Sequence, residues 1–109
     1  MDSVPAGMLR NKLTLQKFVQ SSTDSRGQPV GAWEDEEWLR GSIQAVGTQD
    51  AQLVSQLVHD ATHIIMVRYC ANVTRAKRFS YDGRVLDIGH VADIDGKRRV
   101  MRVLCTEAL

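Results

Sequence analysis

The sequence predicts a mainly β protein: a small closed antiparallel β-barrel or sandwich of about six strands, with one short helical insertion between strands 2 and 3. Several segments alternate apolar and polar residues with period two, which is typical of half-buried strands. The pairs Asp82-Gly83 and Asp95-Gly96 lie between such segments and indicate hairpins, because a type I′ turn needs positive φ at both central residues. Since six short strands would otherwise leave apolar faces and edges open, a closed sheet is favoured.

The first two strands are expected on either side of a loop. Residues 11–19 alternate, with Leu13 and Leu15 on one face. Residues 21–32 are rich in Ser, Asp, Gly and Pro, so they predict a loop. A second extended segment follows over residues 33–46, in which Gly41 indicates a bulge or a bend.

Residues 48–61 break the strand pattern and predict a short helix over 48–58. Their apolar positions recur at helical spacing. Thr48 stands where an N-cap would lie, and Asp50 would favour the positive end of the helix dipole. The apolar face consists of Leu53, Val54, Leu57, Val58 and Ala61.

The remaining strands are predicted over residues 62–70, 77–81, 84–91 and 99–106. Cys70 and Cys105 fall on the first and the last of these, where each is expected to face the core as a small apolar side chain.

Length and composition indicate one globular domain over residues 1–109, with 43% apolar and 25% charged residues. The formal net charge of +1 excludes a strongly basic nucleic-acid clamp. No apolar run approaches the roughly 20 residues of a membrane span. Two cysteines do not make a disulfide scaffold, and no signal peptide is readable, so a reducing, cytoplasmic setting is expected.

The search for catalytic or metal-binding groups favours a protein that is not an enzyme. His59 and His63 are four residues apart, as in zinc-protease helices, but Asp60 replaces the glutamate and His63 begins a strand. His90 is the one further candidate ligand, and two surface histidines at a helix-to-strand junction are the simpler interpretation. Neither cysteine has a neighbouring histidine in the sequence. We therefore predict no catalytic, metal or cofactor-binding residue and no cofactor.

The segment Lys77–Tyr81 interleaves basic and aromatic residues and leaves two interpretations open. If Phe79 and Tyr81 are exposed, they could stack on single-stranded bases, and the chain would be a small β-barrel that binds single-stranded nucleic acid. If they are buried, they belong to the core, which needs most of the six aromatic residues.

Charge is distributed unevenly along the chain. Residues 1–60 carry three more acidic than basic residues, and residues 61–109 carry four more basic than acidic ones. A small domain with opposite charges on different strands has the means to contact a copy of itself, although each cluster is also what an ordinary solvated face would show.

In its ordered motifs the chain resembles the head–tail joining proteins of tailed bacteriophages, the head-closure or stopper family. The resemblance covers nearly the whole chain and departs from the family at Leu39, where alanine is commoner. It rests on the opening residues 7–16, Asp24 and Gly27, Trp33 and Trp38, the run 63–69, the hairpin segments 78–79, 83–84 and 86–88, and the closing residues 104–107.

The resemblance implies a virion protein that meets its partners in the host cytoplasm during assembly. Its subunits would form a ring, a hexamer or dodecamer, below the portal and adaptor proteins. The ring would close the channel around packaged double-stranded DNA without sequence-specific binding, and would present a surface to the tail-terminator or tail-tube proteins. No membrane is implied.

Three sets of residues are predicted to act in this assembly. The channel-facing loop comprises Gly47, Thr48, Gln49, Asp50, Gln52, Gln56 and Asp60. The contact with an adjacent ring comprises Asp24, Arg26 and Gly27. The interface between subunits is predicted from the charge distribution and comprises Glu34, Asp35, Glu36, Glu37, Arg75, Lys77, Arg78, Arg98 and Arg99.

Overall fold

The computed structural model describes residues 10–58, 60–94 and 96–108, and it confirms the predicted fold class. Six antiparallel strands close into a barrel in the order β1-β2-β3-β6-β5-β4, with β4 hydrogen-bonded to β1. The elements are β1 (Asn11–Thr23), β2 (Pro29–Ala45), α1 (Thr48–Leu57), β3 (His63–Arg68), β4 (Arg78–Tyr81), β5 (Arg84–Asp93) and β6 (Val100–Ala108).

The first two strands are longer than the sequence predicts. The loop expected over residues 21–32 is confined to residues 24–28, because β1 continues to Thr23 and β2 begins at Pro29. Composition marked residues 21–32 as a loop, but pairing between the two strands supplies the backbone hydrogen bonds that keep the segment extended. The register shifts between Leu15 and Gln16 and between Gln20 and Ser22, whereas β2 passes through Gly41 without one.

Gly41 lies where a side chain would enter the crowded barrel interior. A Cβ there would come within 2.8 Å of Leu13 Cδ1 and 2.7 Å of Val67 Cγ1. The glycine therefore marks a close approach between strands, which is the other common reason for glycine in a strand.

The predicted helix is present at the predicted place. Its N-cap is Gly47, which has no side-chain cap, so the assignment of Thr48 as the N-cap is wrong by one residue. Val54 is buried, Val58 is half-buried and Leu57 is 45% exposed, while the side chain of Leu53 lies outside the described part. Helical periodicity thus identified the element, but its apolar face is only partly covered.

The β4–β5 turn confirms its sequence signal. Asp82 and Gly83 have φ of 50° and 78°, the left-handed values that a type I′ turn requires. In the second turn Gly96 has φ of 70°, and Asp95 lies outside the described residues.

The barrel interior is an apolar cluster with Phe79 at 0% exposure. It consists of Leu13, Leu15, Ile65, Val67, Val73, Phe79, Leu86, Ile88, Met101, Val103 and Cys105. Cys105 therefore faces the core as predicted. Cys70 is half-buried and packs against the core as predicted, but it lies beyond the end of β3, so its predicted place on a strand is wrong.

The segment after α1 covers one patch of the barrel exterior. Residues 101, 103 and 105 of β6 face the core, so Leu104 faces outward, yet it is only 1% exposed. Val58 lies over neighbouring Gly89, where a Cβ would sit 3.0 Å from Val58 Cγ1. The helical insertion is thereby anchored to the outside of β5 and β6. Within the described residues, no helix is long and apolar enough to cross a membrane.

Candidate assembly surface

The β1–β2 hairpin projects from the barrel as an arm. Residues 17–23 of β1 and 29–34 of β2 pair only with each other, so we call residues 17–34 the arm. The molecule measures 51 Å along its longest axis and 29 and 27 Å along the others. Phe18, Val19 and Val30 of the arm are exposed. A projecting element with exposed apolar side chains is typical of a surface that another protein covers.

Side chains at the root of the arm hold it to the barrel. The Arg78 guanidinium of β4 lies 4.4 Å from the centre of the Trp33 ring, and Phe18 meets Trp33 edge-on at 5.6 Å. Arg78 Nε donates a hydrogen bond to Gln16 Oε1 at 2.8 Å, and Gln16 Nε2 donates one to Asp35 Oδ1 at 2.8 Å. These contacts connect β4, β1 and β2 at the root of the arm.

The tip of the arm is a compact turn built around Asp24. Asp24 Oδ1 accepts hydrogen bonds from the backbone N–H groups of Arg26 (2.8 Å) and Gln28 (2.9 Å). Gly27 has φ of 80°, which favours glycine. Asp24, Arg26 and Gly27, predicted to contact an adjacent ring, thus lie together at the exposed far end of the arm.

The acidic run, residues 34–37, begins at the root of the arm and is partly neutralised within the subunit. Glu36 Oε1 lies 2.7 Å from Lys77 Nζ, an ion pair whose geometry departs from that of a hydrogen bond. Glu37 Oε1 accepts a hydrogen bond from Cys70 Sγ at 2.7 Å. Glu34 and Asp35 remain exposed.

The two oppositely charged clusters predicted to meet between subunits lie at the same end of the barrel. Arg78 pairs with Gln16 across β4 and β1, next to the root of the arm. The β5–β6 turn is also at this end, because Val100 pairs with Arg68 at the end of β3. In that turn the Arg98 guanidinium lies 6.0 Å from the centre of the Tyr69 ring. Arg75 and Arg99 are exposed nearby.

The predicted channel-facing residues lie at the opposite end, between β2 and β3. Gln52, Gln56 and Asp60 are exposed, and Gly47 is exposed at the start of α1. The side chains of Thr48, Gln49 and Asp50 lie outside the described part.

The residues weighed as catalytic or metal-binding do not converge. His63 Nε2 lies 3.9 Å from Glu107 Oε1, and His63 Nδ1 is 2.8 Å from Thr62 Oγ1. His59 lies outside the described residues, and the described ones contain no group of three candidate metal ligands. Burial raises the pKa of Cys105 to about 12, and burial with the Glu37 hydrogen bond raises the pKa of Cys70. Both thiols are therefore poor nucleophiles at neutral pH.

The sequence profile of the phage head completion protein family matches residues 4–108. The chain belongs to this family. The resemblance to head–tail joining proteins is thereby confirmed, and the protein is a phage structural protein of the virion, at the interface between head and tail.

Two solved structures resemble this head completion protein over nearly its full length. The solution structure of protein SF1141 from Shigella flexneri 2a has a TM-score of 0.75 and 27% identity, and covers 96% of this chain and 97% of that one. A chain in the virion of a native gene transfer agent particle has a TM-score of 0.66 and 20% identity, and covers 92% and 96% respectively. The latter supports the barrel fold. No curated protein sequence matches the chain.

Sequence analysis missed one exposed feature of this head completion protein. Trp38, which is 54% exposed, lies on the outside of β2 beneath two cations: Lys12 Nζ is 5.0 Å and the Arg40 guanidinium 5.9 Å from its ring centre. From the sequence alone, Trp38 would be expected to be an apolar anchor of its strand. The period-two pattern indicates that Trp38 is exposed, because Leu39 faces the core and the residues next to it in the strand face outward.

Proposed function

We propose that this chain assembles into a ring below the portal and adaptor proteins, closes the DNA channel after packaging, and offers the tail its attachment surface. Membership of the head completion family carries the proposal. A likeness to a chain in a gene transfer agent virion supports it. The arm adds a physical reason, because a rigid projection with exposed Phe18 and Val30 suits contact with other subunits.

In this proposal the two ends of the subunit have different tasks. The tip of the arm contacts an adjacent ring through Asp24, Arg26 and Gly27. The α1 segment faces the channel, where Gln52 and Gln56 present uncharged side chains to DNA. Such a surface contacts the duplex without the phosphate-neutralising cations that would hold it in place.

The proposed partners are other copies of the chain in a hexamer or dodecamer, the portal and adaptor above, the tail-terminator or tail-tube proteins below, and the enclosed double-stranded DNA. The subunit interface is proposed to include the acidic run and the basic residues Arg75, Lys77, Arg78, Arg98 and Arg99. The protein meets these partners in the host cytoplasm during assembly. It is proposed to act without catalysis or cofactor.

The alternative, a barrel that stacks single-stranded bases on Phe79 and Tyr81, has less support. Phe79 is fully buried in the core. The Tyr81 hydroxyl donates a hydrogen bond to Asn11 Oδ1 at 3.0 Å, and its ring packs against the core. Neither ring offers an open face to a base.

The decisive experiment adds purified protein to DNA-filled heads that lack it. Mass by light scattering, copies per head and DNA release are measured together. We expect a ring of copies on each head and an end to DNA leakage. Protein that leaves both the head mass and the leakage unchanged contradicts the proposal.

A cross-linking pair tests the two ends separately. A photoactivated cross-linker on Gln56→Cys should label packaged DNA, and the same group on Ser25→Cys at the tip of the arm should label protein. Labelling of DNA from Ser25 and of protein alone from Gln56 would reverse the proposed orientation.

To test the acidic run, a variant must keep the ion pair between Glu36 and Lys77 within the subunit. Reversal of Glu36 alone would also break its contact with Lys77. The exchange Glu36→Lys with Lys77→Glu keeps that pair and inverts both charges. If these charges contribute to the contact between subunits, the exchanged protein folds normally but adds fewer copies to heads. Normal addition would remove Glu36 and Lys77 from the interface.

A further inference from the structure

One outward face of the barrel carries four cations, and Asp35 lies on the same side beside Gln16, where the arm begins. Alternation along the strands places Lys12, Arg40, Arg68 and Arg102 on the outside of β1, β2, β3 and β6, because their neighbours Leu13, Leu39, Val67 and Val103 face the core. The other outward positions of these strands within residues 12–16, 38–44, 64–68 and 100–106 are uncharged. We call these four cations with Trp38 the cationic face.

The cations of this face form no salt bridge within residues 10–58, 60–94 and 96–108. Lys12 pairs directly with Arg40 in the sheet register, an arrangement that destabilises adjacent strands. Among the described residues, neither salt bridge involves any of the four, and Arg102 Nε is buried without a hydrogen bond. Uncompensated like charges on one face are consistent with an acidic partner supplied from outside.

The composition of the cationic face suits a protein partner. Trp38 is exposed beneath two cations, and Met66 lies half-buried on the same outward side of β3. Tryptophan, methionine and arginine are enriched at the centres of protein–protein interfaces. A surface built only to bind phosphates would need the cations but not the apolar centre.

The same chain carries exposed carboxylates where the arm leaves the barrel. Glu34 and Asp35, at the root of the arm, are exposed. Glu34 lies opposite Lys17 in the register and forms no salt bridge in the described part of the chain. The arm continues β1 and β2 beyond the last pairing of either strand with β4 or β3, with one register shift between Gln20 and Ser22.

We propose that the cationic face of one subunit receives the root of the arm, with Glu34 and Asp35, from the neighbouring subunit. Each subunit then offers two different complementary surfaces, which is the arrangement that closes into a ring. The inference rests on the proposed ring and identifies its contact. Phe18, exposed beside the root of the arm, would become covered in the same contact.

A charge-exchange cycle on DNA-filled heads tests the inference. Glu34→Arg and Arg40→Glu are each expected to reduce the affinity of copies for one another by about tenfold or more, because each places like charges together. The combined variant restores opposite charges and should recover most of the copies per head. Arg84→Glu, the same reversal at an exposed site at the start of β5, is the matched control and should assemble normally.

The possible results distinguish a failure of the proposed contact from a failure of the proposed ring. If the unaltered protein adds to heads and both single variants add equally well, the contact is wrong and the ring stands. A combined variant no better than the single ones also overturns the contact. If Arg40→Glu assembles normally but loses salt-dependent binding to duplex DNA, the partner is phosphate and the inference fails. Unaltered protein that ignores the heads overturns the ring and the contact together.

Discussion

The Arg78 guanidinium lies 4.4 Å from the centre of the Trp33 ring, and this contact joins β4 to the arm. Arg78 also donates to Gln16, so one side chain touches both strands of the hairpin where it leaves the barrel. A two-stranded hairpin is marginal by itself in water. The contact therefore explains how a long hairpin stays extended beyond the barrel.

Replacing Trp33 tests this support. Trp33→Ala should lower the free energy of unfolding by about 1–2 kcal/mol, through the lost cation–π and aromatic contacts. Amide hydrogen exchange should accelerate at Phe18 and Val19 and remain slow at Ile65 in the barrel. Trp38→Ala is the control, since Trp38 lies outside the arm. Equal protection of the arm in both variants would show that Arg78 and Trp33 do not support it.

Gly31 should be required for the close pairing of the arm. A Cβ at Gly31 would collide with the carbonyl oxygen of Val19 on the opposite strand. Gly31→Ala should therefore disrupt pairing in the arm, seen by hydrogen exchange, and reduce addition to heads. A Cβ at Gly47 meets nothing within 4 Å, so Gly47→Ala is the matched control for the clash and should leave hydrogen exchange in the arm unchanged.

Phe79 should contribute to the stability of the fold and not to the binding of single-stranded nucleic acid. Phe79→Ala should cost about 3–5 kcal/mol in urea unfolding, because it removes a fully buried ring. Tyr81→Phe removes one hydrogen bond and should cost about 1 kcal/mol. A stable Phe79→Ala protein that had lost affinity for single-stranded oligonucleotide would support the nucleic-acid alternative.

Cys105 should make the protein less stable at high pH. Burial, with the charge of Asp87, raises the pKa of its thiol from 9.0 to about 12 in the folded protein. Between these values the unfolded chain loses the proton and the folded chain keeps it, so the stabilisation present below pH 9 is lost as the pH approaches 12. Urea unfolding from pH 8 to 11 measures the decline. Cys105→Ala should show a shallower one, and an equal slope in both proteins would contradict the assignment.

The sequence by itself determined the fold class, the helix between β2 and β3, and the succession of strands along the chain. Period-two alternation places Leu13 and Leu15 on the core face, and Asp82-Gly83 requires a tight turn, because both signals are local. Ordered motifs also sufficed for the family. Composition did not predict the strand residues within 21–32, because polar side chains on a paired hairpin resemble those of a loop.

Tertiary structure decided which side chains meet. Lys77 and Glu36 are far apart in the sequence, and the closure of β4 onto β1 brings them to 2.7 Å within one subunit. The neighbouring order β1-β2-β3-β6 sets Lys12, Arg40, Arg68 and Arg102 on one face, although they come from four strands. A local pattern shows which side of its own strand a residue occupies. Its neighbours on other strands are determined by the register and the order of the strands in the sheet. Register and order depend on pairing between segments that are far apart in the chain.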